Sequence, residues 1–230
     1  MKTLTILFVA AIMMGVGCSK SEDSENNPDK PDKPSPLPDL PDPNDVCSCM
    51  DDIIFMQYCY DNFDVNKDGK VSKIEASAVA KIDLARQEIK TLTGIGYFSN
   101  LEILNCKECH ELTTVDLSNN LKVRIGDEMF YTCSKLSKIV LPNNILEIGE
   151  SAFGYSDCEA LTSIEIPASV EMIDMYYCIN LANIYCYPSI PPILNDFRCK
   201  NFVLYVPSQS LEAYKNSSWS EYYSSIKTIQ

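Results

Sequence analysis

From Leu101 onward the chain repeats one six-residue phrase, Leu-x-x-apolar-x-apolar, and this limits its possible folds more than any other feature. The phrase occurs as Leu101-Leu104-Cys106, Leu112-Val115-Leu117, Leu136-Ile139-Leu141, Leu161-Ile164-Ile166 and Leu181-Ile184-Cys186, with Leu204 and Val206 as a closing copy. Successive leucines lie 11, 24, 25 and 20 residues apart. Alternation at the end of each phrase predicts a short strand with one buried face. No single unit of this kind can cover its own apolar side, so the copies must stack on one another. The expected fold is therefore an α+β repeat, a short solenoid over residues 91–206.

The middle copies are more detailed. Cys133-x-x-Leu136-x-x-Ile139-x-Leu141-Pro142-x-x-Ile145-x-x-Ile148-Gly149 is echoed by Cys158-x-x-Leu161-x-x-Ile164-x-Ile166-Pro167-x-x-Val170-x-x-Ile173, and Ala152-Phe153 precedes the second cysteine. With Thr91 to Leu101 before them and Leu204-Tyr205-Val206-Pro207, Ala213-Tyr214 and Trp219 after, residues 95–206 resemble the BspA-like leucine-rich-repeat proteins of bacterial surfaces. The resemblance implies a closing strand at Leu204-Tyr205-Val206 and then a capping helix within a C-terminal cap over 207–230. It also implies a binding role, such as adhesion to host or microbial proteins.

Asp64-Val65-Asn66-Lys67-Asp68-Gly69-Lys70-Val71-Ser72-Lys73-Ile74-Glu75 has the pattern of a twelve-residue calcium loop. Oxygen donors occupy positions one, three and five (Asp64, Asn66, Asp68), glycine makes the turn at six, and Glu75 closes the loop at twelve. Lys70 would give its backbone carbonyl and Ser72 a hydroxyl or a bridged water, while Val71 points inward. Helical patterns flank the loop, so residues 47–90 are expected to form an EF-hand-like helix-loop-helix module holding structural Ca2+.

Before this module the chain changes character. Lys2 followed by an apolar run from Leu4 to Gly17 is a secretory signal over residues 1–17, too short to span a bilayer. Gly15-Val16-Gly17-Cys18 resembles a lipobox, which implies lipidation at Cys18. Residues 18–46, rich in proline and acid, read as an extended tether. Glu22, Asp23 and Glu25 resemble the export signal of Bacteroides-group surface lipoproteins, which implies a lipid-anchored outer-membrane protein facing the exterior. A net charge of −13 argues against nucleic acid as a partner and against direct adhesion to anionic lipid.

The remaining cysteines and the single histidine offer few routes to chemistry. Cys106-Lys107-Glu108-Cys109-His110 matches the covalent haem-attachment pattern, but Cys106 occupies a core slot of its phrase, so a haem-bearing redox protein ranks last. Cys133, Cys158 and Cys178 share one repeat position and read as stacked buried thiols, while Cys47 or Cys49 could pair with Cys59. No arrangement of an enzyme is apparent. The candidate binding face is the outward column Asn105, Asp116, Val140, Glu165, Tyr185 and Tyr205, beside Ile103, Thr114, Lys138, Ser163, Asn183 and Val203. Its ligand would be a protein or, alternatively, a glycan of a polysaccharide-uptake system.

Overall fold

A computed structural model describes residues 41–154, 159–175, 178 and 180–229. The signal, Cys18, the tether as far as residue 40, Cys158 and Tyr176 lie outside the described residues. Among the described residues no helix is long and apolar enough to cross a membrane.

The described chain opens with a 3-10 turn, Val46–Cys49, then α1 (Ile53–Phe63) and α2 (Lys73–Ala78) on either side of the 64–72 loop. Asp52 caps α1 by accepting from the amides of Ile54 and Phe55. Ser72 and Glu75 form a reciprocal capping box on α2. Residues 42–46, expected as tether, instead belong to this module. Val46 donates to the Val71 carbonyl at 2.9 Å, and buried Asp45 accepts from the amides of Cys47 and Val71 and from the Tyr60 hydroxyl at 2.6 Å. A segment holding buried valine and buried carboxylate cannot act as a solvated spacer, so residues 42–46 do not share the role expected of the tether.

The repeats follow, and each contributes strands to two parallel ladders. The first we call the glycine ladder. It begins with β1 (Lys81–Asp83) paired to β2 (Ile103–Asn105), continues through Ile125, which bridges Ile148, and ends with β5 (Glu147–Ile148), β7 (Met172–Ile173) and β9 (Ile193–Leu194). The second is the tyrosine ladder. Thr91 bridges Thr114 in β3 (Thr114–Asp116), which pairs with β4 (Lys138–Val140). Next to β4 lies β6 (Ser163–Ile166), followed in register by β8 (Asn183–Cys186), β10 (Phe202–Val206) and β11 (Tyr223–Thr228).

Two expected boundaries move. The repeats begin at Lys81 rather than at residue 91, because β1 already pairs with β2. They also run past Val206, because β11 extends the ladder in parallel beyond β10. Prolines follow Leu141, Ile166 and Val206, where a missing amide ends pairing. Between β10 and β11 the chain crosses through α3 (Leu211–Lys215), whose Tyr214 joins Trp219, Phe197 and Phe202 in a buried aromatic cluster.

Between the ladders lies the core. Leu101, Leu112, Leu136 and Leu161 are fully buried, as are the strand centres Ile82, Ile148 and Ile173. Each such side chain removed from water contributes roughly 1.5–3 kcal/mol. Asn120, also fully buried, donates to the Ile95 and Phe98 carbonyls of the preceding turn. The cysteines serve the same purpose. Cys109, Cys133, Cys178 and Cys199 donate to the carbonyls of Leu84, Cys106, Phe153 and Met175, which lie 25, 27, 25 and 24 residues earlier. A thiol is small, apolar and a weak donor, so it fills the core while satisfying a carbonyl one repeat back.

Candidate functional site

The 64–75 loop is wound around its own carboxylates. Asp64 accepts from the Gly69 amide at 2.9 Å and from the Asp68 amide at 3.2 Å. Gly69 has φ +82°, a conformation that favours glycine. Asn66 accepts from the Asp68 amide and donates its side-chain amide to Asp68 at 3.0 Å, while Asp68 accepts from the Lys70 amide at 2.9 Å. Glu75 reaches back with one oxygen to the amides of Val65 and Asn66 and with the other to the amide and hydroxyl of Ser72. The hydrogen bonds from Ser72 hold its carboxyl below the usual glutamate value. Lys70 turns its side chain away to Asp42 at 2.8 Å, and Val71 is fully buried. The six expected donors thus share one turn, with their carboxylates on the loop's own amides. Among the described residues no group of three or more His, Cys, Asp or Glu side chains is gathered as a metal cluster.

The expected binding column divides between the ladders. Asp116, Val140, Glu165, Tyr185 and Tyr205 do lie on the tyrosine ladder: Asp116 pairs with Val140, and Glu165 with Tyr185, which pairs with Tyr205. Asn105 does not join them. It pairs with Asp83 on the glycine ladder and donates to its carboxylate at 3.0 Å, and Ile103 goes with it. Both ladders use the same Leu-x-x-apolar-x-apolar phrase, so the phrase alone does not tell which ladder a copy joins. The 11-residue gap between Leu101 and Leu112 was the available signal, since it is half the spacing of its neighbours and marks a passage from one ladder to the other.

Three grooves open along the tyrosine ladder. The first, about 710 Å3, is lined by Thr93, Gly96, Tyr97, Asp116, Asn119 and Lys138 among others. The second, about 540 Å3, lies between β4 and β6 and includes Lys138, Glu165 and Tyr187. The third, about 660 Å3, holds Glu165, Tyr185, Tyr187, Tyr205 and Lys227. Tyr187 and Lys227 were absent from the expected face, because Tyr187 follows its strand and Lys227 belongs to β11. The glycine ladder has two grooves of its own, about 540 Å3 beside Arg124, Gly126 and Glu147 and about 350 Å3 beside Ile103, Asn105 and Arg124, and it carries exposed Ile103, Leu146 and Ile193.

The haem pattern has no place for a porphyrin. Cys106 and Cys109 are fully buried, Cys109 donates to Leu84, and exposed His110 holds the Thr132 carbonyl through Nδ1 at 2.9 Å. The nine described cysteines are all thiols. Of the proposed N-terminal pairs, Cys47 and Cys59 are both buried thiols, and the Cys47 thiol beside it together with burial drives the Cys59 thiol far up.

Residues 104–197 match the family described as BspA type leucine rich repeat region, in 6 copies. The matched range starts inside β2 and stops before β10, so strand pairing carries the repeats beyond it at both ends. No curated protein matches this chain.

Proposed function

We propose that this chain is a lipid-anchored surface protein of a bacterial outer membrane, and that its repeats form a short solenoid binding a host or microbial surface protein along the tyrosine ladder. Repeats of this family commonly mediate protein–protein binding or adhesion, and the proteins that carry them are often surface-associated in bacteria. The observation that carries the reading is the run of outward side chains from Asp116 through Glu165 and Tyr185 to Tyr205, flanked by three grooves on one side of the repeats. Extended faces of stacked repeats suit large partners, and tyrosine is enriched where interfaces draw most of their energy. Capture of extracellular-matrix and microbial surface proteins by the full chain tests it. Asp116→Lys and Tyr205→Ala should each reduce capture about tenfold; capture unchanged by both would sink the reading.

Anchoring at Cys18 is supported by the residues around it, and mass spectrometry of the mature amino terminus checks it. An unlipidated start elsewhere removes the anchor. The loop's three carboxylates, one amide and one hydroxyl fit the oxygen preference of calcium. Asp64, Asn66, Asp68 and Glu75 would hold the ion through side chains, the Lys70 carbonyl and Ser72 completing the set. The ion would supply cross-linking charge, not chemistry. Calorimetric titration should show uptake in the range of about 10⁻⁴ to 10⁻³ M that extracellular sites use. Heat changes identical in wild type and Glu75→Gln would count against the site.

A further inference from the structure

The tyrosine ladder changes chemistry at its C-terminal end. Tyr185 and Tyr205 are register partners whose rings stack with centroids 4.4 Å apart and planes 13° from parallel. Lys227 holds its ammonium 5.7 Å from the centroid of the Tyr205 ring, so that ring is flanked on both sides. On the other side of Tyr185 stands its register partner Glu165, whose carboxylate has no hydrogen bond or ion pair among the described residues. Tyr187, 38% exposed, continues the aromatic surface past the strand end.

Charge here differs from that of the whole chain. Although the chain carries −13, Glu165 lies between Lys138 in one groove and Lys227 in the next. Such alternation gives no strong field of either sign, so it selects neither a cationic nor an anionic ligand. An apolar peptide would find a better seat on the exposed isoleucines of the glycine ladder. What the groove does offer is an aromatic face beside a carboxylate with open lone pairs, an ammonium donor and phenolic hydroxyls. A sugar ring needs that pairing, with its C–H face on the arene and its hydroxyls on acceptors and donors around the rim. Stacking on Tyr205 holds Tyr185 in place, which lowers the ordering cost of binding. The groove volume of about 660 Å3 lies within the range of about 300–1,000 Å3 common for small-ligand sites.

We infer that the groove between Glu165 and Lys227 is a subsite for a neutral carbohydrate chain displayed by the partner, with one sugar ring on the aromatic surface that Tyr185 and exposed Tyr187 present to the groove beside Glu165. This rests on the tyrosine ladder being the binding face. The full chain would be titrated with neutral oligosaccharides, namely α- and β-linked glucose hexamers, a mannose hexamer and an N-acetylglucosamine hexamer, using saturation-transfer NMR and calorimetry. At least one should bind with Kd at or below about 1 mM. Tyr185→Ala should weaken it at least about tenfold, Glu165→Gln about threefold, and Tyr185→Phe less than about twofold. Circular dichroism of each variant separates loss of binding from loss of fold.

No uptake of any of the four sugars, or uptake untouched by both Tyr185→Ala and Glu165→Gln, overturns the subsite. If enzymatic deglycosylation of a captured partner leaves its binding and its sensitivity to Asp116→Lys unchanged, the subsite falls while the adhesive reading stands. If sugars bind at Tyr185 but no protein is captured, the adhesive reading falls and the subsite stands.

Discussion

The two ladders are built from the same repeats yet diverge along the stack. On the tyrosine ladder strands lengthen from three residues in β3 and β4 to four in β6 and β8, five in β10 and six in β11. On the glycine ladder they shrink from three residues in β1 and β2 to two in β5, β7 and β9. Longer strands project more outward positions in register, and that is where the tyrosines collect, whereas grooves line both ladders. Shorter strands leave tight corners, where glycine replaces a side chain and a carboxylate is drawn inside. One ladder therefore presents a surface, while the other closes the turns behind it.

The comparison breaks most severely if the end of the long ladder loses its support. Trp219 is fully buried, donates to the Pro192 carbonyl at 2.9 Å and packs on Phe197, Phe202 and Tyr214. Trp219→Ala should cost roughly 3–5 kcal/mol in urea denaturation. Hydrogen exchange should show β10 and β11 losing protection while β1 and β2 keep theirs. Uniform loss along both ladders would mean that the stack unfolds as one unit and that the contrast is only geometric.

A smaller effect is expected at the corners of the glycine ladder. A Cβ on Gly149 would meet the Asp127 carboxylate at 2.6 Å and its amide nitrogen at 2.9 Å, whereas one on Gly126 would meet nothing within 4 Å. Gly149→Ala should destabilise by about 1–3 kcal/mol through overpacking, and Gly126→Ala by no more than about 0.5 kcal/mol. Equal costs in thermal melts would show that close packing at this corner is not what requires glycine.

Asp174 sharpens the comparison by pH. It is 8% exposed on the glycine ladder, with one oxygen on the Asn195 amide at 2.9 Å and the other lacking a partner among the described residues. Burial, with Glu150, Asp196 and Asp127 nearby, raises its carboxyl above the ordinary 3.8. Ionising it therefore costs folding stability, a cost absent below that ordinary value and complete above the raised one. Asp174→Asn should gain about 1 kcal/mol at neutral pH and nothing in strong acid. A gain independent of pH would assign the effect to the amide's new contacts. The smallest effect belongs to Asn105→Ala, which should leave partner capture unchanged while Tyr205→Ala does not; equal losses would restore Asn105 to the binding face.

Much of this was legible in the chain because it is local. The 64–75 turn closes within twelve residues, with Gly69 at the positive φ its place in the pattern calls for, although Ser72 also caps α2, a role its spacing did not announce. The strand centres followed from alternation, since burial on one face leaves that pattern whatever the strand pairs with. What was not legible depends on partners far along the chain. Nothing near Asp45 announces that its carboxylate will hold the Val71 amide 26 residues later. Asn105 was misassigned because its phrase is written like its neighbours'. Cys109 was legible as a member of the thiol row, since it stands three residues before Leu112 as Cys133 does before Leu136, whereas Cys199 is followed at that offset by Phe202 and not by leucine.

That thiol row also bears on how such a chain can change length. Among the described residues two units carry both halves of the joint: Cys109 reaches back to Leu84 while Cys106 receives Cys133, and Cys178 reaches back to Phe153 while Met175 receives Cys199. Such a unit copied in tandem, or excised, reproduces matched joints on both sides. A single-residue insertion within it sets its sulfur and its carbonyl out of step, spoiling two joints at once. Growth and loss by complete modules are thereby tolerated, and drift in module length is opposed at the seams.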